Sequence, residues 1–405
     1  MRKILSVFLA IILFFDVVAI SAIFLVEKSD PTNKNGVFDF VNDKEESTKA
    51  NTETEKEDPV AEVFTRVSFV AVGDNLIHDA VYEQAAARAG GDGYDFEDAY
   101  RNISHKIAAK DIAILNQETI ISTVHNVSSY PQFNSPAELG DEMLEIGFDV
   151  FNMATNHSID CGEKGLISAI EFWKSKGAVT TGAYLNESDY QTIPVTEVKG
   201  MKIAYVGFTE STNGLKLPSD TDVILMTAAD EERLEKRVRD ADAIADVVIV
   251  NAHWGVEYTH KPNDTQRQLA KKLGEWGADV IIGTHPHVIQ PVEFIDNSDG
   301  SRTLVAYSLG NFISAQNQGA RMLGGMLNFE MVRNNKSGEI TIENVTFEGT
   351  VTHYGSGYTN IRVYPLEDYP EELASKHGVR SKTSAFSREY LDGILAEVID
   401  KQFLV

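Results

Sequence analysis

The alternation of apolar and polar segments predicts an α/β protein with a largely buried sheet. Three observations predict it. Short, continuously apolar runs recur along the chain, as expected of strands covered on both faces. Segments with apolar residues at helical spacing lie between those runs. Several runs end in Asp, Glu, Asn or His, side chains that bind divalent cations, so one shared metal site is expected at the carboxyl edge of the sheet.

The elements follow in order. Met1, Arg2 and Lys3 give a short basic start, and residues 4–26 are almost wholly apolar apart from Asp16. That length spans a bilayer, so residues 1–26 are expected to form a retained signal anchor, with a cleaved signal peptide as the alternative. Basic residues before the span and acids after it orient the chain with its bulk outside the cell membrane. Residues 27–62 are acidic and poor in large apolar side chains, and are expected to form a disordered tether.

The folded domain is expected over residues 63–365. Strands are expected at 67–72, 112–115, 150–154, 202–207, 247–250 and 280–282, and helices at 79–89, 136–146, 165–176, 228–243 and 264–276. Gly147, Gly177 and Gly277 are helix stops. Strand-like runs at 303–307, 325–332 and 340–348 are expected to complete a second sheet. Residues 366–405 form a C-terminal extension, with a helix at 387–401.

The formal charge of −25 argues against nucleic acid or an anionic lipid surface as a partner through bulk electrostatics. Bound metal can still supply local positive charge. The one cysteine, Cys161, excludes an intramolecular disulfide and a Cys-based zinc site. Without an adjacent base it is read as structural.

The polar strand ends carry the chemistry. Asp74 follows Gly73, which lets a turn close tightly, although Gly-Asp is also ordinary turn chemistry. Glu118 ends an apolar strand, where a charge is unexpected unless paired or metal-bound. Asn156 offers a neutral oxygen and His157 a proton carrier near neutral pH, with Asp160 placed to orient the imidazole or, alternatively, to cap a helix. His253 follows one apolar strand, with Glu257 beside it. His285-Pro286-His287 follows another. In an extended segment residues two apart point the same way, so two imidazoles reach neighbouring cations. His105, His125, His260, His353 and His377 lack such a setting and are read as surface or packing residues.

Six segments, taken together, resemble the bacterial capsule-synthesis proteins of the CapA type, linked to poly-γ-glutamate. They are Val72-Gly73-Asp74, Asn116-Gln117-Glu118-Thr119, residues 156–162, residues 253–258, residues 283–287 and residues 307–312, within a match over about 66–315. That family in turn resembles the calcineurin-like metallophosphoesterases, which implies a four-layer α/β/β/α sandwich and a two-metal site. The resemblance implies that Asp74 and His287 bind one metal, that Asn156, His253 and His285 bind the other, and that Glu118 bridges them. His157, held by Asp160, is then the general acid. His78, Asn116, Glu257, Ser308 and Asn311 are expected to contact substrate. Two departures stand out: Leu76 occupies a position that is usually His, and Glu118 one that is usually Asp. Such ligands suit Mn, Fe or Zn better than Mg or Ca.

The function so implied is a membrane-anchored, metal-dependent hydrolase or transferase of capsule biosynthesis, acting on an anionic polymer or phosphoester. The alternative is a non-catalytic polymer-handling or export subunit. Membrane synthase subunits are expected partners, and nucleic acid is not.

Overall fold

The computed structural model describes residues 63–405. The expected anchor and tether lie outside the described residues. No helix among those described is long and apolar enough to cross a membrane.

Among the described residues sixteen strands follow one another: β1 (Phe64–Asn75), β2 (Ile112–Asn116), β3 (Val150–Asn152), β4 (Val179–Thr181), β5 (Ala183–Tyr184), β6 (Val195–Val198), β7 (Met201–Thr209), β8 (Ile224–Leu225), β9 (Val247–His253), β10 (Val280–Thr284), β11 (Val292–Asp296), β12 (Arg302–Ala306), β13 (Asn311–Ile313), β14 (Leu323–Asn334), β15 (Ile340–His353) and β16 (Arg362–Pro365). They form a mixed α/β architecture with two main sheets. The first has the order β16-β15-β14-β1-β2-β3-β4, with β13 also paired to β1, and the second the order β11-β12-β10-β9-β7-β6.

In the first sheet β1 to β4 run parallel, and β14 to β16 add antiparallel strands on the far side of β1. The expectation that 325–332 and 340–348 complete the second sheet is therefore corrected. The twelve-residue β1 has a second ladder to fill, and β14 pairs with it from Phe64↔Asn334 to Val72↔Met326. Only the run at 303–307 joins the second sheet, as β12.

Strand alternation explains the apolar runs. On β7, Ile203 and Tyr205 pack into the core shared with the first sheet. Ala204, Val206 and Phe208 face the other way, against Leu234 and Val238 of helix Glu231–Asp242 and Ala270 and Leu273 of helix Asp264–Glu275. Both faces are covered, so no polar alternation appears. Helix Asp264–Glu275 starts at a capping box in which Asn263 and Gln266 satisfy each other's backbone donors. Helices Ala137–Ile146 and Gly162–Ser175 bury Leu139, Met143, Leu166, Ala169 and Trp173 in the same core as the first sheet. Tyr369, Phe386, Leu391 and Phe403 of the C-terminal segment belong to that core as well.

Two glycines set the approach of strand to loop. A Cβ on Gly73 would lie 1.8 Å from the Gly310 carbonyl oxygen, and one on Gly283 would lie 2.0 Å from that of Tyr307. No side chain fits at such distances, so the bare backbone at both positions is what lets the strand ends close on one another.

Candidate metal centre

The parallel strands β1, β2, β9 and β10 deliver their carboxyl ends to one place. Asp74, on β1, is fully buried. Its carboxylate accepts from Asn116 Nδ2 at 2.8 Å and from the His285 backbone N–H at 3.3 Å, and it lies 3.0 Å from His287 Nδ1. Its own N–H donates to Gly310 at 2.9 Å, fixing β1 against the loop before β13.

His253, at the end of β9, places Nε2 2.9 Å from Asn156 Oδ1 and Nδ1 3.0 Å from Thr284 Oγ1. His285 packs its ring 4.8 Å from that of His253, and His287 lies 5.9 Å from His285, both between centroids. The segment is not extended as expected. His285 and His287 have φ of 96° and 57°, in the left-handed region that β-carbons disfavour. A turn, rather than strand alternation, aims the two imidazoles inward. Such strain persists where surrounding structure enforces it, commonly at functional sites.

Glu118 stands between these groups. It is fully buried, and neither carboxylate oxygen has a hydrogen-bond partner. His285 Nδ1 is likewise buried and unpartnered. Asp74, Glu118 and His287 each bring one potential ligand atom within 4.8 Å of the others, and so do Glu118, His253 and His285. Glu118 belongs to both sets, and Glu257, His285 and His287 form a third at the exposed rim.

Burial without a partner pushes the Glu118 carboxyl well above its ordinary range. Burial and the neighbouring His285 push His253 well down, and burial together with His287 pushes His285 down to about 4. Burial works against a charge on His287, yet Glu118 and Asp74 raise it to about 9. Two neutral imidazoles beside an orphaned carboxylate are costly as they stand and suited to a cation. The donor set therefore fits divalent metal binding.

Around this cluster His157 and Asp160 form a dyad: Nδ1 lies 2.7 Å from Asp160 Oδ2, which also accepts the Phe133 N–H at 2.7 Å. This fixes an Nδ1–H tautomer and leaves Nε2 without a hydrogen-bond partner among the described residues. The Phe133 ring meets both His157, at 4.7 Å, and His78, at 5.3 Å, edge to face. His78 is pushed down to about 4 by burial, and its Nδ1 is within reach of the Ala315 N–H and the Leu76 carbonyl. Leu76 is buried.

Three residues expected at a substrate cleft lie elsewhere. Asn116 bonds Asp74 with its amide and accepts from Asn152 Nδ2 with its carbonyl. Ser308 is wholly buried, donating to Val288 O and accepting from the Gly310 N–H. Asn311 places Oδ1 3.0 Å from His287 Nδ1 and directs its amide to Ser314, Gln316 and the Arg321 carbonyl. Asn116 and Asn311 orient cluster side chains, while Ser308 bonds only backbone; a strand-end Asn or Ser reads alike in sequence whether it faces solvent or its neighbours. Glu257 is at the exposed rim.

Sequence reasoning missed Thr284 and Asn152, which support His253 and Asn116, and the buried relay from Tyr100 through Asn75 to Gln117. Polar residues within apolar strands were the available signal. Cys161 matches its structural reading: burial lifts its thiol to about 11.

An α/β scaffold thus holds a buried cluster of carboxylate, amide and imidazole groups suited to divalent cations. The chain belongs to the family described as bacterial capsule synthesis protein PGA_cap, which matches residues 68–316, more than half its length. It is 37% identical to the PGA biosynthesis protein CapA of Bacillus subtilis over 176 residues, 43% of this chain and 44% of that protein. It is 35% identical to the capsule biosynthesis protein CapA of Bacillus anthracis over 181 residues, 42% of this chain and 41% of that protein. The aligned segment spans less than half the length of either. Among solved structures, a phosphatase of Mycoplasma pneumoniae aligns at 13% identity and a TM-score of 0.44, over 71% of this chain and 94% of that one. The NAD nucleotidase NadN of Haemophilus influenzae aligns at 13% and 0.42, over 82% and 60%.

Proposed function

We propose that this protein is a two-cation hydrolase or transferase acting on a phosphoester or another linkage of an anionic polymer in capsule biosynthesis. Glu118 carries the reading: a fully buried carboxylate with two unpartnered oxygens, shared by two ligand sets. Asp74, Glu118 and His287 would hold one ion; Glu118, Asn156, His253 and His285 the other. Mn, Fe or Zn suits these donors. The two sheets with their outer helices are assigned the four-layer order of calcineurin-like metallophosphoesterases. Residues 1–26 and 27–62 are assigned as membrane anchor and tether, with the remainder outside the cell as the catalytic domain and its C-terminal extension. Membrane synthase subunits are the proposed partners.

Bound divalent cations supply Lewis acidity and a more acidic bound water. The chain's own residues do the rest. Asn116 and Asn311 hold Asp74 and His287 in place, and Thr284 orients His253. Asp160 keeps His157 in the tautomer whose Nε2 can carry a proton to a leaving oxygen. Phe133 walls this imidazole against His78.

One observation favours a non-catalytic polymer-handling subunit: the buried Leu76 cannot supply a ligand where an imidazole is usual. The test is turnover of bis(p-nitrophenyl) phosphate by full-length protein loaded with Mn²⁺, against His157→Ala. Turnover that falls in the variant at unchanged metal content supports the enzyme. Metal-loaded protein with no turnover supports the subunit, and protein that takes up no metal removes the enzyme.

A further inference from the structure

Arg321 lies outside the family-matched segment, at the start of the chain that leads into β14. Its guanidinium sits over the face of Tyr258, 3.4 Å from the ring centroid. The Tyr258 ring is in turn 5.9 Å from that of His287, and its backbone N–H donates to Pro286 O at 2.7 Å. Tyr258 has a φ of 67°, so this backbone turn, like that of His285 and His287, is imposed by its surroundings. Asn311 ties the arrangement together, because the one amide side chain contacts both His287 Nδ1 and the Arg321 carbonyl. Arg321 is thus held in register with the cluster by its backbone and by its stacking partner.

Its charge is not spent on protein. Other cations form ion pairs, such as Lys106 with Glu348 and Glu367, or Arg362 with Asp98. Among the described residues Arg321 forms none, in a chain of net charge −25. The side chain is half-buried, and Tyr258 is 44% exposed. A planar guanidinium stacked on an aromatic face keeps its outer edge free for a fork-shaped oxyanion.

We infer that Arg321, stacked on Tyr258, binds a second oxyanion of the substrate, a carboxylate or a phosphate one repeat away from the group at the metal cluster. This rests on the proposed function and deepens it by naming where the substrate chain runs: from the metal cluster, past Tyr258, to Arg321.

The experiment measures binding of three fluorescent probes to full-length, Mn²⁺-loaded protein: an oligo-γ-glutamate, an oligo(glycerol phosphate) and a neutral dextran. Wild type is expected to bind one or both anionic oligomers and not dextran; the preferred oligomer tells carboxylate from phosphate. Arg321→Gln is expected to weaken that binding about 10- to 100-fold, the range for a charge-assisted hydrogen bond, with Mn²⁺ content unchanged. Arg321→Lys, which keeps charge without the fork, is expected to restore part of it, and Tyr258→Leu to weaken it. Equal binding by wild type and Arg321→Gln, or no binding of either oligomer by metal-loaded wild type, overturns the inference. Loss of Mn²⁺ uptake in wild type would instead overturn the reading on which it rests.

Discussion

Glu118 Oε1 and His287 Nε2 face each other across 3.7 Å, both buried, and neither Glu118 oxygen has a hydrogen-bond partner. A carboxylate held so near imidazoles, with no donor of its own, makes the empty protein pay a desolvation cost that a cation removes. Glu118→Gln keeps the shape of the side chain and removes its anionic oxygens. Thermal stabilisation by added Mn²⁺ should therefore largely vanish, because the stabilisation that a ligand confers scales with its affinity. Calorimetry with and without chelator checks this. A variant that is stabilised by Mn²⁺ as strongly as wild type would count against a bridging role.

The dyad predicts a different signature. Asp160→Asn leaves the ligand sets intact but offers His157 Nδ1 an amide in place of a carboxylate. Turnover of a diester substrate should fall about 10²- to 10⁴-fold for His157→Ala, the usual range for a general acid, and by less for Asp160→Asn. Metal content should not change in either variant. Elemental analysis beside the kinetics separates the dyad from the ligands.

Gly73 predicts a steric failure. A Cβ would meet the Gly310 carbonyl at 1.8 Å, backbone against backbone, so no rotamer relieves it. Gly73→Ala should cost more than about 3 kcal/mol, in the upper range of single substitutions, and should lower metal affinity because Asp74 follows directly. Denaturant unfolding and metal titration of the variant test this.

Acid stability depends on a pair far from the cluster. His377 accepts the Val379 N–H at Nδ1 and donates from Nε2 to Thr352 O, so it is built into the fold as the neutral ring. Burial pushes it down to about 3, and its neighbour His353 down to about 4. The unfolded chain takes up protons near pH 6.5 that these folded rings refuse. Their contribution is therefore complete above about pH 6.5 and is lost as pH falls toward about 4 for His353 and about 3 for His377. His377→Gln should be less stable by about 1–3 kcal/mol at pH 7.5, and the gap should narrow at pH 5. A gap that stays constant across that range would contradict this account.

The sequence made some of this legible and hid the rest for identifiable reasons. Val247–His253 and Val280–Thr284 were readable as buried strands because both faces are covered, and Asp74, Glu118, Asn156, His253, His285 and His287 stood out as ligand-type residues at strand ends. The partner of β14 was not readable: period-two alternation reveals a strand but not which sheet edge receives it. The turn at His285 and His287 was missed because nothing local marks a non-glycine residue for positive φ. Asn116, Ser308 and Asn311 were misplaced for a related reason, since composition does not say which side of a cluster an amide occupies. Arg321 drew no attention, because its role depends on a stacking partner 63 positions away, Tyr258, that only the fold brings near.

The most direct measurement is the metal content of full-length protein, expressed without a His tag, purified without chelator and analysed by inductively coupled plasma mass spectrometry. Two equivalents of Mn, Fe or Zn per chain are predicted, falling to one or fewer in Glu118→Gln. A folded wild-type chain that retains no divalent ion, and takes up none on titration, would contradict the account.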